Sequence, residues 1–149
     1  MTFKNHTDKD KAFISIEKKF GKRETEEAYK LLKKRLKLNK VNLNIIKNKN
    51  IIDIGCGEGR YSKALKKIGA KSVTCFDNGP RPKKLNKKFN YIEGSILNVK
   101  IKKKYDFIFC NGRLSHIKNW KKGLSEISKL LNKDGWLWLS LFGTGKHWN

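Results

Sequence analysis

The sequence predicts a doubly wound α/β fold with a mostly parallel sheet, preceded by a helical N-terminal segment. The chain has 149 residues, which suits a single domain. From residue 50 onward, short apolar runs alternate with helix-like segments, and a glycine-rich turn follows the first run. Such alternation is typical of parallel strands joined by helices on both faces of the sheet. We therefore expect residues 1–49 to be helical and residues 50–149 to form the α/β core.

Two helices are predicted in the N-terminal segment. Thr7 and Asp10 fit a capping box ahead of a loose apolar stripe that Gly21 ends. A second helix is expected to start near Thr25, because leucines follow at helical spacing. Its acidic residues come first and its basic residues later, which suits the helix dipole.

Five strands and two helices are predicted in the core. In the order 3-2-1-4-5, the fifth strand lies at an edge, and its Trp136, Trp138 and Phe142 make a poor free edge. We therefore expect a truncated sequence with further strands beyond Asn149, or a partner or second copy covering this edge. The predicted strands are 51–54, 72–76, 89–92, 105–110 and 136–142; the helices are 58–68 and 120–131, and a turn occupies 132–135.

The composition argues against several classes of protein. No apolar run reaches the roughly 18 residues of a membrane-spanning helix, and no secretory signal opens the chain. The three cysteines are too few and too widely spaced for a disulfide framework, and no His/Cys pair has zinc-ligand spacing. We therefore expect a reduced, cytoplasmic protein with no membrane contact and no metal site.

The positive charge has two explanations. The chain carries 36 basic and 13 acidic residues, a net charge of +23, and 31 of the basic residues are lysine. Such an excess suits nucleic-acid binding, but lysine, asparagine and isoleucine also share A/T-rich codons. Because the lysines are scattered along the chain, we favour a solvated lysine surface over a nucleic-acid partner.

The segment 51–61 contains the strongest candidate for a ligand-binding motif. A strand runs into Gly55, Gly57 and Gly59, and a helix follows. Glycines let a backbone turn sharply close to a ligand, and a helix start presents free N–H groups. A dinucleotide fingerprint needs its third glycine at position 60, where this sequence has Arg60. The spacing disfavours an NAD-dependent oxidoreductase and favours another ligand above the strand ends.

Other candidate residues follow the next strands. Asp77 ends the second strand, where its carboxylate can accept both hydroxyls of a ribose or cap the following segment. Ser95 and Ile96 follow the third strand, a position from which they could contact the polar edge of an adenine base. Asn111 and His116 belong to the loop after the fourth strand.

Residues 50–142 resemble the class I S-adenosylmethionine-dependent methyltransferases, in particular the small-molecule type. The family's first motif, D-x-G-C-G-x-G, is matched by Asp53, Gly55, Cys56, Gly57 and Gly59. The loop that reads C-N-G-R-L-S-H at 110–116 resembles the family's N-G-V-L-H-H, with departures at Arg113 and Ser115. The turn at 131–135 resembles the family's L-K-P-G-G.

The resemblance implies a Rossmann-like methyltransferase fold and S-adenosylmethionine as cofactor. It implies that the 53–59 loop, Cys56 included, passes the methionine part of the cofactor and that Asp77 holds the ribose. Ser95 and Ile96 are assigned to the adenine, although the family usually has an acidic residue there. Asn111 is assigned to the cofactor as well.

The resemblance also implies methyl transfer to a small-molecule acceptor. No N/D-P-P-Y/F/W tetrapeptide follows the fourth strand, which disfavours methylation of base amines, and Cys110 fits a buried thiol better than a nucleophile. His116 is the catalytic candidate, as the nearby residue with a suitable pKa; a capping or bracing role is equally open. The alternatives are an RNA or protein methyltransferase and a non-catalytic cofactor-binding fragment.

Overall fold

The computed structural model describes residues 22–141, and among them five parallel strands form a sheet in the order β3-β2-β1-β4-β5. The predicted fold class and strand order are confirmed. β1 pairs with β2 and β4 at the centre, and β3 and β5 are the edge strands. The strands are β1 (Asn50–Ile54), β2 (Ser72–Asp77), β3 (Asn90–Glu93), β4 (Tyr105–Asn111) and β5 (Leu131–Ser140).

Helices cover both faces of the sheet. Alternate residues of a strand point to opposite faces, so Ile51 of β1 packs in the cluster that contains Leu32 and Leu65, whereas Ile52 packs in the cluster that contains Ile127. The helices of the first face are α1 (Lys22–Leu38) and α2 (Arg60–Ile68), and the helix of the second is α3 (Trp120–Ser128). Short 3-10 turns lie at Leu43–Ile45 and Arg113–His116.

The helix boundaries differ from the prediction by a few residues. The helix expected to start near Thr25 begins at Lys22. The helix predicted for 58–68 begins at Arg60, because Gly59 has left-handed backbone angles and ends the preceding loop. The first predicted helix, with Thr7 and Asp10, lies outside the described residues.

The predicted turn at 132–135 lies inside β5. The register jumps from Tyr105 opposite Leu131 to Phe107 opposite Trp136, so residues 132–135 form a bulge opposite Asp106. The Asn132 amide donates a hydrogen bond to a carboxylate oxygen of Asp106 at 2.7 Å, which holds the bulge in place. Consequently the helix predicted for 120–131 ends at Ser128, and Leu131 already belongs to the sheet. The described part of β5 ends before Phe142.

The parallel arrangement gives the sheet two functional edges. At the carboxyl edge the chain leaves the strands, after Ile54, Asp77, Glu93 and Asn111. At the amino edge it enters them, before Asn50, Ser72, Tyr105 and Leu131. Within residues 22–141, none of the helices combines the length and the apolar character needed to cross a bilayer.

Candidate functional site

A glycine loop, residues 55–59, forms the centre of the carboxyl edge. Gly55, Gly57 and Gly59 have φ angles of +74°, +52° and +80°, a region that residues with a Cβ rarely adopt. The N–H groups of Gly55 and Cys56 both donate to the carbonyl of Phe76, at 2.7 and 3.2 Å. The loop is thus folded back over the end of β2, and its positive φ angles give the sharp turn that the glycines predicted.

Close packing behind the loop explains the third glycine. A Cβ atom at Gly59 would lie 2.5 Å from Cδ1 of the buried Leu85. Gly59 is also the N-cap of α2, and it makes no side-chain capping bond to the first-turn N–H groups. The start of α2 therefore keeps backbone donors at the carboxyl edge, where its dipole favours a negatively charged group.

Asp77 joins the end of β2 to the glycine loop. Its Oδ2 accepts a hydrogen bond from the Gly57 N–H at 2.8 Å, and its Oδ1 accepts one from the Asn78 N–H at 2.7 Å. An ionised carboxylate has about four acceptor positions, so each oxygen can still accept a further donor. The carboxylate therefore both braces the loop and remains able to bind hydroxyl groups.

Arg113 is the residue of this site to which the sequence assigned no role. Its side chain crosses the glycine loop, since a Cβ at Gly55 would lie 2.6 Å from its Cγ. Its Nη2 lies 3.5 Å from Oδ1 of Asp77 and donates to Oδ1 of Asn78 at 2.7 Å. The sequence signal was present, because Arg113 stands where the resembled loop has valine. Arg113 thus links the loop after β4 to the end of β2.

Asp53 acts below the surface of the site. It is only 3% exposed, and its Oδ2 accepts a hydrogen bond from the Ser62 hydroxyl at 2.5 Å. The Cys75 thiol contacts the same hydroxyl at 3.2 Å. This arrangement fixes the end of β1 to the first turn of α2, so Asp53 supports the glycine loop from within the core.

Of the two candidate residues after β3, one is exposed and the other is buried in the core. Ser95 is exposed, and its hydroxyl oxygen accepts a hydrogen bond from the Leu97 N–H at 3.2 Å. The side chain of Ile96 is buried in the cluster that contains Leu114 and Ile127. Only the backbone of Ile96 is therefore placed to meet a ligand at the carboxyl edge.

The residues after β4 face the site from its other side. Asn111 ends β4, and its Oδ1 accepts a hydrogen bond from Arg35 of α1 at 3.3 Å, which brings the N-terminal helix to the site. His116 is exposed at the last position of the 3-10 turn. Gly112, with a φ of +80°, turns the chain between these two residues.

The cysteines near the site are core residues. Burial raises the pKa of the Cys110 thiol to about 12, so the nucleophilic thiolate is disfavoured at neutral pH. The neighbouring Cys75 thiol, together with burial, raises the pKa of Cys56 as well. Both thiols therefore pack in the core rather than act as nucleophiles. Among residues 22–141, no group of three or more His, Cys, Asp or Glu side chains is arranged to hold a metal ion.

Comparisons with known sequences converge on one family. The sequence profile of the family described as "Methyltransferase domain" matches residues 22–149. The mitochondrial ubiquinone biosynthesis O-methyltransferase of Schizosaccharomyces pombe is 32% identical over 108 residues, which cover 65% of this chain and 39% of that protein. The tRNA U34 carboxymethyltransferase of Campylobacter hominis is 30% identical over 106 residues, which cover 63% of this chain and 36% of that protein. The chain thus spans less than half the length of these relatives.

Solved structures share the fold. A protein of Methanococcus maripaludis superposes with a TM-score of 0.62 at 20% identity, over 91% of this chain and 64% of that one. Coclaurine N-methyltransferase, solved with N-methylheliamine and SAH, superposes with a TM-score of 0.61 at 20% identity, over 74% of this chain and 34% of that one. At this level of identity the similarity shows the fold.

Proposed function

The chain belongs to the methyltransferase domain family, and we propose on this premise that it transfers the methyl group of S-adenosylmethionine to a small-molecule acceptor. The observation that carries the proposal is the contact between the Asp77 carboxylate and the Gly57 N–H. This contact places a hydroxyl-binding group directly beside a loop that has no side chains at three of its five positions.

The residues at the carboxyl edge fit the parts of S-adenosylmethionine. The carboxylate of Asp77 retains acceptor positions for the two ribose hydroxyls. The glycine loop, the uncapped start of α2 and Asn111 offer backbone and amide groups for the methionine part. Ser95 and the backbone of Ile96 are assigned to the adenine. Asp53 and Cys56 hold the loop in shape from the buried side.

The chemistry places modest demands on the protein. When bound, S-adenosylmethionine supplies a methyl group that its sulfonium already activates. The chain's residues therefore serve mainly to orient the acceptor in line with that methyl group and to exclude water. Where the acceptor must lose a proton, we assign that role to His116, which stands at the carboxyl edge on the loop after β4.

The acceptor class is chosen from sequence features of the loop after β4. One relative is named for ubiquinone biosynthesis and another for tRNA U34, so the family includes acceptors of both sizes. The absence of the N/D-P-P-Y/F/W tetrapeptide favours a small molecule over the exocyclic amine of a base. The buried, reduced state of the described cysteines agrees with our proposal of a cytoplasmic location.

Calorimetric titration with S-adenosylhomocysteine, S-adenosylmethionine and NAD tests the cofactor. We expect the first two to bind and NAD not to bind. Asp77→Ala should weaken both affinities by roughly 10- to 100-fold, because it removes hydrogen bonds to a charged group. The matched control is Asp134→Ala, which removes an exposed carboxylate at the amino edge and should leave both affinities unchanged. Absence of binding to a folded chain, or equal binding by Asp77→Ala, would refute the proposal.

The role of His116 is tested by turnover. Methyl transfer from labelled S-adenosylmethionine is measured against a panel of phenols, amines, carboxylic acids and RNA. With the acceptor that is methylated, His116→Ala should lower turnover by roughly 100-fold or more, and the affinity for S-adenosylhomocysteine should stay near normal. A parallel loss of turnover and affinity would assign His116 to structure instead.

A further inference from the structure

The amino edge of the sheet gathers lysines from segments that are distant in the sequence. Lys49 directly precedes β1, Lys71 directly precedes β2, and Lys104 directly precedes β4. All members of this group are exposed. We call the group the lysine face: Lys47, Lys49, Lys66, Lys71, Lys102, Lys103, Lys104, Lys129 and Lys133.

The strand register brings these lysines side by side. Asn50 lies opposite Ser72, and Ile51 lies opposite Phe107. Tyr105 lies opposite Leu131, so the starts of these four strands are level to within one residue. Neighbouring strands are about 4.8 Å apart, which places the residues just before them within one contiguous surface. Hydrogen bonds confirm the arrangement, since Lys66 donates to the carbonyl of Lys71 at 2.7 Å and Lys104 donates to the carbonyl of Lys129.

Three carboxylates lie in this region, and two of them are already bonded to neighbouring groups. Asp106 accepts hydrogen bonds from the Asn50 N–H and the Asn132 amide, at 2.8 and 2.7 Å. Glu126 pairs with Lys129 at 2.6 Å, and Asp134 is exposed in the bulge of β5. These three acids do not balance the lysine face, so the amino edge presents a strong positive potential.

A cavity of about 520 Å³ opens in the same surface. The bulge of β5 forms one wall and the 3-10 turn Leu43–Ile45 forms another. Trp136 lines it with an indole that is 55% exposed, an unusual exposure for so large an apolar side chain. The polar groups that line it belong to Asn44, Lys49, Asp106, Asn132, Lys133 and Asp134.

We propose that the lysine face and this cavity bind single-stranded nucleic acid, with one base stacked on Trp136 and the phosphates held by the lysines. Binding of single strands combines a positive groove with aromatic side chains on which bases stack. The amides of Asn44 and Asn132 offer both donors and acceptors to the edge of a stacked base. A lipid surface would use the lysines but would leave these amides without a function.

The proposal does not depend on methyl transfer. β4 is seven residues long, so at about 3.3 Å per residue the cavity lies on the order of 20 Å from the carboxyl edge. Nucleic acid at the amino edge can therefore be held while the glycine loop is occupied. We expect binding of nucleic acid and of S-adenosylhomocysteine to be additive.

Fluorescence anisotropy with a labelled 12-nucleotide oligouridylate, repeated over a range of salt concentrations, tests the proposal. The triple variant Lys49→Gln, Lys71→Gln, Lys133→Gln should lower the slope of log affinity against log salt by about 2, since each phosphate contact on a single strand contributes about 0.7. Trp136→Ala should weaken binding by about 5- to 100-fold, and Trp136→Phe should restore most of it.

Matched controls separate this site from general attraction to positive charge. The variant Lys30→Gln, Lys34→Gln, Lys37→Gln removes the same charge from exposed positions of α1 and should change affinity far less. Equal losses in the two triple variants, or full binding by Trp136→Ala, would overturn the proposal. Binding to phosphatidylserine vesicles without binding to oligouridylate would overturn it in favour of a lipid partner. Unchanged far-UV circular dichroism and an unchanged urea unfolding midpoint show that each variant is folded.

Discussion

The two edges of the sheet are built from the same strands but differ in the groups that they present. The carboxyl edge brings backbone close to a ligand, with glycines at three of the five loop positions and one carboxylate, Asp77, bonded to the loop. The amino edge presents long exposed side chains, and its main fixed feature is the carboxylate of Asp106 that pins the starts of three strands. The difference shows that a site built from backbone needs tight packing behind it, whereas a surface of lysine side chains needs only aligned strand starts.

The largest expected effect breaks the tight packing at the carboxyl edge. Gly59→Ala forces a Cβ to within 2.5 Å of Leu85 at a φ of +80°. We expect the free energy of unfolding to fall by about 1–3 kcal/mol and the affinity for S-adenosylhomocysteine to fall with it, as measured by urea unfolding and calorimetry.

Gly79→Ala is the control for that experiment. A Cβ at Gly79 meets no atom within 4 Å, and its φ is not positive. The free energy of unfolding should change by no more than about 0.5 kcal/mol. Similar losses in the two variants would mean that the glycine loop tolerates a side chain and that its packing is not what shapes the site.

An intermediate effect concerns the amino edge. The Asn50 N–H, which donates to Asp106, holds the pKa of Asp106 below its usual value of 3.8. Asp106→Asn should destabilise the protein by about 1 kcal/mol at pH 7, because the amide cannot accept from both donors. A folded-state pKa below the unfolded one gives stability that is present above the unfolded value.

The pH dependence of that variant provides the check. The contribution of Asp106 is lost as the pH falls through its folded pKa, so the stability difference between Asp106→Asn and the unmodified chain should shrink below about pH 4. Unfolding in urea at pH 7 and at pH 3 measures both differences. A difference that is constant with pH would show that the carboxylate charge is not what fixes the strand starts.

The smallest expected effect is a change in ligand affinity when the Arg113 side chain is removed from the carboxyl edge. Arg113 lies 3.5 Å from Asp77 and crosses Gly55, so a ligand that uses the Asp77 carboxylate competes with the guanidinium. A partly exposed pair of this kind contributes at most about 1 kcal/mol. Arg113→Val should therefore bind S-adenosylhomocysteine up to about five-fold more tightly by calorimetry. Weaker binding would instead assign the guanidinium to the ligand.

Local sequence patterns were sufficient for the order of the elements and for the glycine loop. Strands and helices differ in the spacing of apolar residues, and that spacing is legible in the sequence. The prediction was less accurate at 132–135, because the composition of a turn does not reveal that strand pairing continues on both sides. For Ile96, which the sequence assigned to the adenine, the structure shows a buried side chain, so only its backbone could contact a ligand.

The sequence alone determined the doubly wound fold, the sharp turn at Gly55, Gly57 and Gly59, and the position of Asp77 at a strand end. Only the tertiary structure decided that Arg113 reaches Asp77, 36 positions earlier in the chain, and that lysines scattered along the sequence meet at one edge. The physical reason is the parallel register. It aligns strand ends that are remote in the chain, and neither composition nor spacing records which remote side chains then come into contact.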